Sequence, residues 1–360
     1  MEKKKRMIPI VFYISLALFL LGIALSYGYR RSEAFAGKVN STVAHALRVA
    51  LGSVTSAVPF SVAEILIYMI PLLAILAVVI SFIYAKTARL RVRMLAVILS
   101  ILMPLYPMYM LTLAPGYHAP SLEKQMGLHT QSVTDEELRK TAEILLSEIT
   151  LLLDSIAFDE GGSSQNPHTL KEMGEEILVG YDRFLSEYPI TESFRSVPKP
   201  VLASEWMTYA GITGVYTFFT GESNINVFYP DFVHPFTVAH ELAHQRGIAR
   251  ENEANFVAAL VCARADSAYV RYSGLFNLLE YVLVAYASAD FEGYRDFWYQ
   301  MDTRIADEVR AYTDFLEPYK DHVVGEVSDK VNDAYLEMNG TPGLVSYGLV
   351  VDLAVAYYTR

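Results

Sequence analysis

Two histidines four residues apart are the clearest chemical feature of this 360-residue chain. His240 and His244 lie in the stretch TVAHELAHQ at 237–245, which contains no proline and can form one continuous helix. Residues four apart share a face of a helix, so both imidazoles can bind a single Zn²⁺ ion. Glu241 lies one step around the helix, where its carboxylate can accept a proton from water beside the metal. We therefore expect two zinc ligands, His240 and His244, and a catalytic base, Glu241.

A third ligand is expected from the next segment, RENEANF at 250–256. Gly247 can end the first helix, and a second apolar-periodic run begins at Glu251. Glu251 shares a helix face with Asn255 and with small residues further along, which would let the two helices approach closely. Glu253 lies on roughly the opposite face, although it could still reach the metal from a loop. We therefore predict Glu251 as the ligand, Glu253 as the alternative, and Asn255 as a residue that orients a histidine.

These motifs resemble those of the gluzincin metallopeptidases, in which a later helix carries a glutamate ligand followed four residues on by an acidic or amide residue. The larger pattern is similar to that of an uncharacterised bacterial family with three N-terminal membrane helices, the run HELAHQRGIARENEANF and an SYG-containing C-terminus. The resemblance implies a zincin-like fold and zinc-dependent peptide hydrolysis. The chain departs from the usual zincin pattern at Arg246, where an apolar residue is expected, and the spacing from His244 to Glu251 is unusually short.

Composition divides the chain into a basic, apolar part and an acidic part. Residues 1–114 carry 12 Lys and Arg against 3 Asp and Glu, whereas residues 115–360 carry 17 against 37. An acidic globular part argues against nucleic-acid binding, which requires a basic surface. The chain has one cysteine, Cys262, which excludes an intramolecular disulfide.

The first part has the pattern of a three-helix transmembrane region, 1–114. Apolar runs long enough to cross a bilayer occupy about 8–27, 60–84 and 94–114. The first run is long and is not followed by a convincing cleavage site, so we expect an uncleaved helix rather than a signal peptide. Basic residues before the first run and between the second and third predict cytoplasmic ends. This predicts a multi-pass cell-membrane protein, in contact with the lipid bilayer, whose residues 115–360 lie outside the cytoplasm.

The second part, 115–360, is expected to be a mainly α, zincin-like (α+β) domain. Two capping boxes, at Thr134 and Thr169, predict helices to about 158 and 188, and most of the chain after 251 is also helical in pattern. The β-branched and aromatic runs at 214–220 and 225–229, with turn-forming residues between them, predict a small antiparallel sheet. An extended peptide can add to the edge of such a sheet.

The predicted function is that of a membrane-anchored zinc metallopeptidase acting on a peptide or protein substrate. Tyr347, in the SYG segment, is a candidate hydrogen-bond donor to the oxyanion of the tetrahedral intermediate, and Tyr272 and Arg310 are weaker candidates. His234, six residues before His240, is not expected to be a ligand. The alternative is a catalytically silent sensor or scaffold that keeps the fold and binds peptide or metal. Cleavage inside the membrane is disfavoured because the motif lies in a charged context far from the last span.

Overall fold

A computed structural model describes residues 8–84, 87–130, 132–320, 322–343 and 348–359. It divides into two units. The first comprises Met1–Ala119 with Thr217–Glu222, and the second comprises Pro120–Tyr216 with Ser223–Arg360. The expected boundary at 114 lies near the observed one, but the inclusion of Thr217–Glu222 in the first unit was not foreseen.

The first unit is helical. Its helices are α1 (Ile10–Arg31), α2 (Glu33–Val39), α3 (His45–Thr55), α4 (Val62–Tyr84), α5 (Ala88–Leu102), α6 (Leu105–Thr112) and α7 (Ala114–His118). Within the described residues, three stretches are long and apolar enough to cross a membrane, namely Ile10–Arg31, Val62–Ile80 and Ala88–Thr112. Membrane association is therefore supported, and the number of spans is as expected.

The third candidate span begins earlier than its hydropathy predicted. We expected it to start at 94, after a basic loop, but α5 starts at Ala88 and includes the arginines of that loop. The hydroxyl of Thr87 caps this helix by accepting a hydrogen bond from the backbone N–H of Leu90. Pro104 separates α5 from α6 because proline removes a backbone donor within a helix.

A turn from the later sequence packs within the first unit, which is why the boundary prediction missed it. Gly221 has φ of 71°, and a Cβ at this position would lie 2.7 Å from the Cβ of Leu51. The buried carboxylate of Glu222 accepts the backbone N–H groups of Val62 at 3.0 Å and Ala63 at 2.8 Å. These are the first amides of α4, where a negative charge is favoured. The turn is thus fixed by steric fit and by a helix cap.

The second unit is also mainly helical. Its helices are α8 (Leu122–Met126), α9 (Asp135–Thr150), α10 (Leu170–Glu187), α11 (Ser204–Tyr209), α12 (Val233–Gln245), α13 (Glu251–Cys262), α14 (Ala268–Ala289), α15 (Phe291–Trp298), α16 (Thr303–Leu316), α17 (Val323–Met338) and α18 (Val350–Tyr358). Both predicted capping boxes are present, with Thr134 paired to Glu137 and Thr169 to Glu172. The helix that we expected to reach 158 ends at Thr150.

The strands form two small sheets. Strands β1 (Ala157–Phe158) and β2 (Ser164–Gln165) pair antiparallel, and β3 (Lys199–Pro200), β4 (Gly214–Thr217) and β5 (Glu222–Ile225) form a sheet in the order β3-β5-β4. Because β3 and β5 are parallel, the second sheet is mixed rather than wholly antiparallel.

The second strand of the hairpin lies earlier than the predicted run at 225–229. Its residues Ser223 and Asn224 are polar but buried, and the Asn224 amide donates to the carbonyl of Val215 at 3.1 Å. The polarity of these residues made them look like a turn. Only Ile225 of the run that we predicted as a strand belongs to β5. A turn follows it, in which the side chain of Asn226 accepts the backbone N–H of Phe228 at 3.0 Å.

The core of the second unit holds α12 and α13 in place. A Cβ on Gly180 of α10 would lie 2.2 Å from the carbonyl oxygen of Val261 on α13, so these helices approach closely only because this residue is glycine. The hydroxyl of Tyr181, also on α10, donates to the carbonyl of Ala239 on α12 at 2.6 Å. The buried face of α10 thus contacts both helices that carry the predicted ligands.

Candidate metal centre

A glycine turn brings the start of α13 back to the end of α12. Gly247 has φ of 91°, and its N–H donates to the carbonyl of His244 at 2.9 Å. The N–H of Ile248 donates to the carbonyl of Ala243 at 3.1 Å, which completes a left-handed C-terminal cap. The predicted cap and the predicted start of the next helix at Glu251 are both confirmed.

The side chains of His240, His244 and Glu251 converge, and their ligand atoms all lie within 4.8 Å of one another. The Nε2 atoms of His240 and His244 lie 3.2 Å and 3.5 Å from Oε2 of Glu251. Tetrahedral zinc with bonds of about 2.0–2.1 Å separates its donor atoms by about 3.3 Å. A charge-assisted hydrogen bond would instead shorten such a separation to about 2.7–2.9 Å. The two separations from Oε2 of Glu251 therefore suit donors bound to one ion better than direct hydrogen bonds.

Each imidazole presents Nε2 to the carboxylate, but they are held differently. Nδ1 of His244 lies 2.9 Å from the carbonyl oxygen of Ile248, a contact that fixes the ring and leaves Nε2 for a metal. Nδ1 of His240 is buried and has no hydrogen-bond partner within the described part of the chain. The two rings lie 4.6 Å apart and nearly perpendicular.

The charges of these groups are strongly coupled. Burial alone would lower the pKa of His244, but the Glu251 carboxylate and the Ile248 carbonyl raise it to about 9. Burial opposes ionisation of Glu251 too, yet the imidazoles of His244 and His240 hold the pKa of this carboxyl well below its usual range. The metal-free site therefore pairs a carboxylate with a protonated imidazole near neutral pH, and metal binding must displace that proton.

Glu241 lies beside this group in a buried setting shaped by β4. Burial raises the pKa of its carboxyl, while the nearby histidines oppose the shift. The backbone N–H of Tyr216 donates to the carboxylate, and Oε2 has no hydrogen-bond partner among the described residues. A Cβ on Gly214 would lie 2.8 Å from both Cγ and Oε1 of Glu241, so β4 passes this close only with glycine there. The need for Gly214 was not apparent from the sequence.

Glu253 is not brought to the imidazoles. It is buried, and its Oε1 accepts the backbone N–H of Leu122 at 2.8 Å and Nη1 of Arg250 at 2.9 Å. Its contacts tie α13 to α8, and it is not part of the group that could hold a metal.

Asn255 has a different contact from the one predicted. Its amide Nδ2 donates to the hydroxyl of Tyr281 at 3.3 Å rather than to a histidine. Tyr281 lies on α14, and the charge of Glu251 contributes to raising its pKa, after burial as the main cause. Sequence spacing gave no indication of Tyr281, because α14 is distant from Asn255 in the sequence and contacts it only through helix packing.

The remaining predicted residues lie elsewhere. Tyr347 is outside the described residues. The hydroxyl of Tyr272 donates to Glu308, and Arg310 pairs with Asp307 at 2.8 Å on an exposed face. His234 is not part of the metal-capable group.

Arg246, the departure from the zincin pattern, is accommodated by stacking. Its guanidinium lies 4.1 Å from the ring centroid of Tyr181 and 5.1 Å from that of Phe194. It donates to the carbonyls of Leu242 at 3.1 Å and Phe194 at 2.8 Å. A fully buried arginine thus fills a position that an apolar side chain fills elsewhere, because its hydrogen bonds and aromatic contacts offset the loss of water.

Comparison with known proteins places this centre within a family. A family model described as "Protein of unknown function (DUF3810)" matches residues 40–355. The chain belongs to the DUF3810 family. No curated protein and no solved structure matches it. The DUF3810 match includes both α12 and α13, so the metal-capable group lies inside the region that defines the family relationship.

Proposed function

We propose that this DUF3810 protein is a membrane-anchored, zinc-dependent metallopeptidase. The observation that carries the proposal is the convergence of His240, His244 and Glu251, in which each imidazole Nε2 lies 3.2–3.5 Å from Oε2 of Glu251. The buried carboxylate of Glu241 lies beside them. Two imidazole nitrogens and one carboxylate oxygen form a ligand set found in catalytic zinc sites, which leave a further position open.

The donor set fits zinc on chemical grounds. The distances from Oε2 of Glu251 to the two imidazole nitrogens are close to the donor separation of a tetrahedral zinc site. The buried Oε2 of Glu241 is left without a protein partner in the described structure. A zinc ion held there would polarise a substrate carbonyl and lower the pKa of a water molecule towards neutrality.

Glu241 would supply the proton transfers. Its raised pKa brings the carboxyl towards the working pH, where a base both accepts and returns protons efficiently. It would take a proton from the attacking water and deliver it to the departing amine. Gly214 and the Tyr216 N–H would hold the carboxylate in position for both steps.

An extended peptide suits this arrangement. Strand β4 is at the edge of its sheet, and its residues Gly214 and Tyr216 contact Glu241. Main-chain groups at a sheet edge can bind an extended peptide by adding it as a further strand. Such a peptide would pass the base with its carbonyl groups regularly spaced.

We further propose that the metal centre lies outside the cytoplasm. The basic residues before α1 and at the start of α5 favour a cytoplasmic location for these ends. Three crossings that begin inside would then leave the second unit on the opposite side.

The test uses the full chain in detergent, loaded with zinc, and a complex mixture of peptides derived from a whole proteome. Glu241→Gln should retain bound zinc but lose at least about 100-fold in cleavage rate, because general acid–base catalysis contributes about 10²–10⁴-fold. Gly214→Ala should also retain zinc and lose activity, because its methyl group would displace the Glu241 carboxylate. Glu143→Gln, an exposed α9 variant, is the control.

Two results would contradict the proposal in different ways. Equal cleavage by the wild type and Glu241→Gln, at equal zinc content, would refute the role of Glu241. Zinc binding without cleavage by the wild type would instead favour a sensor or scaffold that keeps the fold and binds peptide or metal.

A further inference from the structure

Helix α17 of the second unit exposes its apolar side. Four of its apolar side chains are 55–69% exposed, namely Val323, Val327, Val331 and Met338. Leu336 is the one buried residue among the 16 of this helix. A contiguous exposed apolar surface of this kind marks an interaction site on a folded unit.

The residue types of α17 do not favour an isolated helix. Four of its residues are valine and one is glycine, and both types are poor helix formers. An isolated helix of about 15 residues is marginal in water, so helices in proteins depend on packing of an apolar face. Because one buried leucine supplies little of that packing, α17 requires a partner on its exposed side.

The apolar residues of α17 follow the spacing of a coiled-coil seam. Alternating separations of three and four residues, as between the a and d positions of two heptads, connect Val324, Val327, Val331, Ala334 and Met338. This 3.5-residue repeat keeps all five on one side of the helix, facing a second helix that runs alongside.

The surface of the seam has the shape that a second helix requires. An open hollow of about 490 Å³ is lined by six residues of α17, namely Val327, Lys330, Val331, Ala334, Tyr335 and Met338. In a coiled coil, each a or d side chain inserts into a hole between four residues of the facing helix, at positions i, i+3, i+4 and i+7. The six residues form two consecutive holes of this kind, which share Val331 and Ala334.

Charges beside the seam indicate which helix fits and in which direction. Lys330 and Glu337 are exposed and occupy the g positions, which flank the seam. In an antiparallel pair of α17 helices the g positions of the two copies lie side by side, so each Lys330 meets Glu337 of the other copy. A parallel pair would bring Lys330 next to Tyr335 instead and would form no such ion pair.

We propose that α17 is a self-association helix, which pairs antiparallel with α17 of a second copy of this chain. A two-fold axis then uses the same surface on both copies and forms the Lys330–Glu337 pair twice. A lipid surface is the poorer occupant, because α17 carries four acidic residues against one lysine, whereas helices that lie on membranes are rich in basic residues. This inference concerns assembly and does not depend on the proposed peptidase activity.

Self-association is measured on the full chain in excess detergent, by fluorescence energy transfer between copies labelled at the N-terminus with donor or acceptor. Lys330→Glu should weaken the dimer at least about fivefold, because two attractive pairs become repulsive. Adding Glu337→Lys should restore the wild-type affinity, since both pairs are then reversed. Lys171→Glu, the same change of charge at an exposed position of α10, is the control.

Cysteine cross-linking tests the direction of the pair. The register that pairs Lys330 with Glu337 puts Val327 of one copy beside Met338 of the other, and separates the two copies of Val327 by about 16 Å. Under mild oxidation, Val327→Cys mixed with Met338→Cys should therefore form a cross-linked dimer, whereas Val327→Cys alone should not. The native Cys262 is fully buried and should not react.

A wild type that stays monomeric at every concentration contradicts the inference, and binding of that monomer to lipid vesicles through α17 would assign the face to lipid. A dimer that Lys330→Glu leaves unchanged contradicts it as well, because another surface then holds the copies together. Failure of the added Glu337→Lys to restore the dimer would refute the proposed ion pairs. Cross-linking between two copies of Val327→Cys would refute the antiparallel direction.

Discussion

Glu251 and Glu253 lie two residues apart on α13, and replacing each by glutamine separates metal binding from structure. Glu251 contacts two imidazoles, whereas Glu253 contacts the Leu122 amide and Arg250. Glutamine preserves the shape of each side chain and removes only its charge. Glu251→Gln therefore removes a charge from the two imidazoles, whereas Glu253→Gln removes a charge from the Leu122 amide and Arg250.

The expected magnitudes follow from these contacts. Loss of a group that only orients a ligand costs about 10–100-fold in metal affinity, so loss of the ligand Glu251 should cost at least about 100-fold. At zinc concentrations about 100 times the wild-type Kd, the ion stabilises the wild type by about 2.7 kcal/mol. Glu251→Gln should then gain only about 0.4 kcal/mol. Glu253→Gln should keep the full zinc effect, but should be less stable by about 1–3 kcal/mol, because the donors of Leu122 and Arg250 lose a charged acceptor.

Thermal unfolding of the detergent-solubilised chain, with and without chelator-buffered zinc, measures both effects. For a unit of this size, 1 kcal/mol shifts the Tm by about 2–4 °C, so zinc should raise the Tm of the wild type and of Glu253→Gln by about 5–10 °C. For Glu251→Gln the shift should be about 1 °C. A zinc-dependent shift that survives in Glu251→Gln and disappears in Glu253→Gln would reverse the ligand assignment and refute the argument from side-chain convergence.

Three further predictions concern the proton balance, the core and the membrane. The pKa of His244 is about 9 in the metal-free site, so zinc uptake at pH 7 should release about one proton, whereas a histidine of ordinary pKa would release about a quarter of a proton. For the same reason, zinc affinity should rise as the pH increases towards 9. A pH-indicator titration that finds no proton release contradicts the pairing of Glu251 with a protonated His244. Gly180→Ala should destabilise the second unit by about 1–3 kcal/mol, because its methyl group would clash with the Val261 carbonyl. Gly348→Ala is the control: its added Cβ would have no atom within 4 Å, so the same melting assay should show no change in stability. Burial makes the native Cys262 unreactive by raising the pKa of its thiol, so only an introduced cysteine should react with a maleimide. A membrane-impermeant maleimide should label Lys171→Cys in intact cells, but should label Arg89→Cys only after permeabilisation. The opposite pattern would place the metal centre in the cytoplasm.

The local features of the centre could be predicted because they depend on spacing along one helix. Residues four apart on α12 must share a face, which places His240 and His244 together whatever surrounds them. Gly247 ends that helix because its positive φ suits glycine, and Glu251 begins the next one soon after. The lengths of the apolar runs likewise indicated the membrane-crossing helices, since bilayer thickness sets the length of chain required.

Contacts between segments distant in the sequence could not be predicted from residue spacing. Polar residues that looked like a turn, such as Glu222, are buried because a helix N-terminus elsewhere in the chain uses the carboxylate. Glu253 is occupied by the amide of Leu122, and Asn255 by Tyr281, both from segments far away in sequence. Sequence periodicity placed Glu251 and Glu253 on opposite faces of α13, and the small residues on the Glu251 face favoured Glu251 as the ligand. The contacts made by Glu253 and Asn255 depend instead on the packing of α13 against α8 and α14, which no local pattern encodes.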